Sequence, residues 1–214
     1  MARLPLFPLT LVLFPAALTP LHVFEPRYRR LLADAAEGDH RFVILPPGIA
    51  GGPPEPDTIG TVARIRAIQP LPEGRSNVVV SGEERVTLTA VVSSDTPYLV
   101  GETQRLPDQL EIQVPSPGDQ RTLRGYAERY AAALATISDV SDEPELSNDP
   151  AEQSFQIAAL LEWDFETKRR FLAIRSARER VTRLLAALPK LVENLEGRAA
   201  IHHKARTNGH GPQH

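Results

Sequence analysis

Three groups of residues have types that could do chemistry. Glu25, Arg27 and Tyr28 set a carboxylate, a guanidinium and a phenol close together, a set able to hold and move a proton. The run KRRFLAIRSARER, Lys168 to Arg180, is basic and periodic and could meet RNA or an acidic partner. Four of the six histidines, His202, His203, His210 and His214, fall near the C-terminus, where such a cluster could bind metal. Each group also has a plainer structural reading, and that reading is preferred. Glu25 beside a helix N-terminus interacts well with the helix dipole, Arg27 can hold its carboxylate, and Tyr28 faces a core. A basic helical run is commonly a solvated face, and the histidines belong to a solvated tail. His22 and His40 stand apart and lack a carboxylate–histidine spacing.

Other reaction motifs are missing. No glycine precedes a lysine, so no P-loop can cradle phosphates. The sequence has neither a G-x-S-x-G elbow nor an H-E-x-x-H pair. It has no cysteine, hence no disulfide, thiolate nucleophile or cysteine metal site. The expectation is a non-catalytic protein without cofactor or metal; the alternative that motif spacing leaves open is a small hydrolase with dispersed catalytic groups, marked by convergent titratable groups in one deep pocket. The absence of cysteine is compatible with a reducing cytoplasm, the compartment expected.

Composition bounds the rest. Of 214 residues, 42% are hydrophobic and 24% charged, with a net charge of −3. This is a globular chain of one ordinary domain or two small lobes. Its charge does not point to nucleic acid or an anionic membrane. The only lysines are Lys168, Lys190 and Lys204; the arginine excess accompanies abundant Ala and Pro and is read as coding bias.

The elements follow from pattern. No charged residue lies between Arg3 and Glu25, but Pro5, Pro8, Pro15 and Pro20 interrupt the apolar run. Those prolines disfavour a membrane-spanning helix. Arg3 with Pro15-Ala16-Ala17 has some likeness to a signal peptide, and Pro5 with Pro8 to a P-x-x-P ligand; extended buried strands are the preferred reading. Pro26 starts a helix whose Tyr28, Leu31, Leu32 and Ala35 make one face, stopped by Gly38. RFVIL, Arg41 to Leu45, is a strand, and the Pro/Gly-rich stretch from Pro46 to Asp57 a mobile surface loop. From Thr58 to Thr103 short β-branched runs suggest a small barrel or a curled sheet rather than a βαβ fold, with hairpin turns expected at Glu73-Gly74 and Ser81-Gly82. After VPSPGD, Val114 to Asp119, the pattern turns helical. Helices are expected through Leu123 to Ile137, after the capping-box-like Asp149-Pro150-Ala151-Glu152, from near Asp164 or Phe165, and after the capping box Ser176-Ala177-Arg178-Glu179; Pro189 should kink or end the last, although Leu191, Val192 and Leu195 continue its stripe. Ser138 to Asp149 is an acidic connection. The division is 1–116 as a β-rich lobe, 117–196 as a helical lobe and 197–214 as a disordered tail.

Several blocks resemble the N-terminal domain of the Lon ATP-dependent protease. They are LPLFPL, LFP at Leu13–Pro15, PLHVFEPRYRRLL, IGTVARI at Ile59–Ile65 and VVVSGEERV at Val78–Val86, with a more generic likeness in the C-terminal helices. Glu25, Arg27, Tyr28, Gly60, Gly82 and Arg85 carry the family motif. The pattern usually has glycine after LFP, where Ala16 stands, and an aromatic after Arg85, where Val86 stands. The resemblance implies an α+β fold, a PUA-like pseudo-barrel with one helix followed by a helical bundle. It also implies a module like stand-alone Lon substrate-binding-domain proteins, lacking ATPase and peptidase domains. Its partners would be unfolded or apolar polypeptide segments, or another protein, with no membrane and no nucleic acid. The alternative is a PUA-like RNA-binding module using the arginines. Phe7, Phe14, Phe24 and the Pro46–Asp57 loop are candidates to line a groove, although burial is the commoner fate of each phenylalanine.

Overall fold

The computed structural model describes residues 1–110, 114–138 and 144–208. Its chain forms two compact units, one of Met1–Gln109 with Leu161–Arg175, the other of Leu110–Leu160 with Ser176–His214.

The first unit is built on six strands: β1 (Ala2–Pro8), β2 (Leu18–Val23), β3 (Arg41–Leu45), β4 (Ile59–Pro70), β5 (Ser76–Val92) and β6 (Val100–Arg105). The sheet order is β2-β5-β4-β3-β1-β6, and β6 also pairs with β5. That last pairing closes a five-strand ring and leaves β2 outside it, joined to β5 alone. Closure removes sheet edges that would otherwise attract other chains. The prolines fit this plan. In β1, Ala2 to Pro5 pair with β6 and Leu6 to Pro8 pair with β3, so Pro5 and Pro8 end their respective pairings. Pro20 lies on the edge strand, where a missing donor is tolerated.

Alternation along the strands makes two apolar layers. Leu6, Val43, Leu45, Val62, Val86 and Leu88 form one cluster. Their neighbours Phe7, Phe42, Ile44 and Ala63, with Val78 and Val80, join the face of α1 (Pro26–Glu37) in another. Tyr28, Leu31, Leu32 and Ala35 are the buried residues of α1, as their spacing predicts. Gly101 is needed in the first layer, because a Cβ there would meet Leu88 and Leu6 at 2.6 and 2.9 Å.

The Glu73-Gly74 turn is found at the β4–β5 tip. The Ser81-Gly82 turn is not: β5 runs unbroken through both residues. The reason for glycine is a close approach by the segment that joins β1 to β2. Pro15 bridges to Gly82, and a Cβ on Gly82 would lie 2.1 Å from the Phe14 carbonyl oxygen. Beside it Ala16 takes a left-handed φ of 58°, the conformation that the family's usual glycine would adopt without strain.

A second difference concerns 161–175, which the sequence division placed in the helical lobe. This segment, with α4 (Phe165–Leu172), belongs to the barrel unit. Buried Arg85 of β5 holds it there. One guanidinium nitrogen of Arg85 donates to the carbonyls of Leu172 and Ile174 at 2.7 and 2.8 Å, and the other pairs with Asp108. Phe171 packs edge-on to Phe14 and against Trp163. The Asp164 side chain caps α4 by accepting from the Thr167 amide at 2.7 Å.

The second unit contains α2 (Pro117–Ser138), α3 (Pro150–Leu160) and α5 (Ala177–Asn208). Ser116 and Asp119 cap α2 reciprocally, side chain to backbone. Ser176 accepts from the Glu179 amide at 2.9 Å to start α5, and Asp149 from the Ala151 amide to start α3. Glu152 does not complete a box; it accepts from Ser147. The stripe Val181, Leu184, Leu188, Val192, Leu195 and Ala199 is buried along α5. That helix does not end at Pro189, and it continues over 197–208, where a disordered tail was expected. Positions 209–214, and 139–143 of the acidic connection, lie outside the described residues.

Candidate functional site

The Glu25–Arg27–Tyr28 group is a structural joint. The Glu25 carbonyl accepts from the Tyr28 and Arg29 amides and so opens α1. Its carboxylate is held by Arg27 at 2.9 Å. The Arg27 guanidinium lies 4.5 Å from the centre of the Tyr28 ring, which stacks on Phe7 at 4.0 Å. Burial pushes the Tyr28 hydroxyl above its ordinary pKa, which suits packing better than proton transfer. Gly60 also serves packing, since a Cβ there would lie 2.6 Å from the Ile44 carbonyl oxygen.

The basic run divides between the two units. Lys168 to Leu172 end α4, and Ala177 opens α5. The expected solvated face is broken at Arg180, which is fully buried. Arg180 donates to the Ser154 hydroxyl at 2.8 Å and stacks 4.0 Å over the Phe155 ring. Burial pushes the Lys168 ammonium pKa down. Elsewhere on the barrel unit, arginines meet carboxylates: Arg3 with Glu102, Arg30 with Asp34, Arg41 and Arg64 with Glu83, and Arg105 with Glu84. Among the described residues no group of three His, Cys, Asp or Glu is arranged to hold a metal, and no helix is long and apolar enough to cross a membrane.

The three candidate phenylalanines separate. Phe7 and Phe14 are 3% and 1% exposed and belong to the core, because strand parity and the α4 contact bury their rings. Neither can line a groove. Phe24 is 58% exposed, and so is Leu18, at 68%. Leu18, Pro20, His22 and Phe24 recur at every second position and all stand exposed. Leu21 and Val23 between them point into the core. The partners continue the surface: Pro20 lies opposite Val79 of β5, and Val79 opposite Ala67 of β4. His22 contacts Asn77 at 2.9 Å and stacks with Phe24, ring centres 6.0 Å apart. The result is a largely uncharged apolar strip on a three-stranded ribbon. Spacing could have shown the alternation; that this parity faces outward depends on β2 lying against β5.

The Pro46–Asp57 loop, expected to be mobile, is tied by its own backbone. Gly48 donates to the Gly52 carbonyl at 3.0 Å and Gly51 to Gly48 at 3.1 Å. Ile49 projects from it, 82% exposed.

A closed small barrel with a flanking helix and helical segments defines an α+β class of domain. The family model described as the ATP-dependent protease La (LON) substrate-binding domain matches residues 3–190, and the chain belongs to that family. A "Lon protease" of Amoebophilus asiaticus is 29% identical over 172 residues, 73% of this chain and 19% of that protein. "Lon protease 1" of Hydrogenovibrio crunogenus is 25% identical over 91% of this chain and 24% of its own. The chain thus spans about a fifth to a quarter of these relatives. Among solved structures, a Lon N-terminal domain protein from Xanthomonas campestris has a TM-score of 0.63 at 24% identity, covering 88% of this chain and 100% of that one. The N-terminal domain of a Mycobacterium avium complex Lon protease has the same TM-score at 18% identity, over 86% and 97%. These two likenesses establish the fold.

Proposed function

We propose that these 214 residues form a non-catalytic module that binds extended, apolar polypeptide segments on the outward face of β2. The observation carrying this reading is the exposed series Leu18, Pro20, His22 and Phe24 beside Val79. Family membership supports it, since the family is described as substrate-binding. The face is favoured over the β2 edge. Pro20 has no amide hydrogen, so an added strand would lack one donor of its ladder. Side-chain contact needs no such donor. The ion-paired arginines favour polypeptide over RNA, because a guanidinium already held by a carboxylate attracts phosphate less.

Fluorescence anisotropy with an unfolded casein-like chain and a folded control tests the reading. Affinity near the micromolar range or weaker, about −8 kcal/mol, is expected for one shallow face. Phe24→Ser with Leu18→Ser should weaken binding about tenfold, since an exposed aromatic anchor at a contact centre is commonly worth more than 1 kcal/mol. Equal binding of folded and unfolded chains, or no effect of the double change, refutes it. The purified chain should neither hydrolyse ATP nor cleave peptides.

A further inference from the structure

A second feature of the barrel unit is charged. The Pro-rich loop and α4 enclose a cleft of about 260 Å³. Pro46, Pro56 and Ile59 supply apolar lining, the loop contributes Glu55 and Asp57, and the helix contributes Arg169 and Arg170. The opposite charges do not close on one another. Arg169 is drawn back to Glu166 at 2.9 Å, and among the described residues Arg170 donates only to the Glu166 backbone carbonyl, at 3.3 Å. The Arg170 charge also helps to lower the Asp164 carboxyl pKa, after the larger effect of Thr167. The Glu55 and Asp57 side chains carry no hydrogen bond or ion pair among the described residues, in contrast to the paired acids Glu25, Glu83, Glu84 and Glu102.

The acidic side of the cleft is held in place by its backbone. Asp57, at a left-handed φ of 65°, donates to the Leu88 carbonyl at 2.8 Å, and Leu88 donates back to Thr58 at 2.9 Å. Both bonds tie the loop to β5. A pre-formed wall loses little freedom when it is occupied. The volume suits one or two residues rather than a folded ligand.

We propose that this cleft is a second polypeptide contact, selecting a segment in which one cationic and one anionic side chain flank a short apolar stretch. The cation would sit by Glu55 and Asp57, the anion by Arg170, and the apolar stretch against Pro46, Pro56 and Ile59. The proposal rests on the polypeptide-binding reading and adds charge selectivity to it.

The test compares three fluorescein-labelled peptides with one apolar core, flanked by Lys and Glu, by two serines, or by two glutamates. At low ionic strength the chain should bind the Lys/Glu peptide about threefold to tenfold more tightly than the serine peptide, the range of exposed ion pairs, and high salt should erase the difference. Arg170→Gln, and separately Glu55→Gln with Asp57→Asn, should abolish the preference while leaving the serine peptide unaffected. Equal affinities for the Lys/Glu and serine peptides overturn the cleft proposal, and if Phe24→Ser still weakens both, the β2 reading survives. Tightest binding of the double-glutamate peptide overturns it in favour of a simple anion site. No binding of any peptide overturns both readings.

Discussion

Replacing Arg85 by methionine should detach the 161–175 segment from the barrel. The Arg85 side chain is 3% exposed and Asp108 27%, so the pair is largely withdrawn from water. Methionine keeps an unbranched stem but has no donor. The Leu172 and Ile174 carbonyls would lose their charged donor, and an unsatisfied buried acceptor costs about 1–3 kcal/mol. Adding the loss of the Asp108 pair gives about 3–5 kcal/mol, the range seen when one partner of a buried ion pair is removed. With a denaturant slope of about 2 kcal/mol per molar urea, the midpoint should fall by about 1.5–2.5 M. Arg85→Lys should recover only part, because an ammonium cannot span three acceptors with a planar fork. Tryptic cleavage after Lys168, Arg169, Arg170 and Arg175 should accelerate in the methionine variant as the segment opens. A midpoint shift below about 0.5 M at unchanged slope, with no faster cleavage at those residues, would refute the anchoring role.

Three further outcomes are expected. Leu31 is fully buried under the sheet, and Leu31→Ala should cost about 2–5 kcal/mol in urea unfolding; an unchanged midpoint would mean that the α1 face is not packed. Ala16→Gly should stabilise by about 0.5–1 kcal/mol, since relief of the left-handed strain exceeds the added freedom of the unfolded glycine; a lower midpoint would contradict this. The third concerns the Tyr98 hydroxyl, which donates to Asp34 at 2.8 Å. Burial and that bond push its pKa up to about 12 from 10.0, while the same bond, with Arg30, lowers the Asp34 carboxyl. A raised folded-state tyrosine contributes stability that is complete below pH 10 and lost as pH rises towards about 12. A lowered carboxyl contributes stability present above its ordinary value of 3.8 and lost as pH falls further. Tyr98→Phe should flatten the alkaline loss and shrink the acid one. Stability profiles of the two proteins that superimpose in both limbs would count against the pairing.

Local signals were legible wherever a short-range rule decides the outcome. The α1 face from Tyr28 to Ala35, the strand Arg41–Leu45, the helix start near Asp164 and the cap at Ser176 each depend on residues within a few positions, so spacing and side-chain type suffice. The Lon-like blocks extended that reach to the barrel, because their order along the chain reflects a known closure. Arg85 and Gly82 could be named as motif positions, but not explained. Gly82 resembles a turn in sequence, and only the approach of Phe14 and Pro15 from far along the chain makes a side chain impossible there. Likewise, nothing near 161–175 says that its carbonyls meet a guanidinium from β5; that contact joins positions almost ninety residues apart. The candidate surface divides in the same way. Alternation at Leu18, Pro20, His22 and Phe24 is written in the chain, and it makes those residues share one side of a strand. Which side faces water depended on β2 lying on β5 outside the closed ring, which leaves Phe24 exposed, whereas Phe7 of β1 is buried against the α1 face. Periodicity sets which residues share a face, and only tertiary packing determines which face is covered.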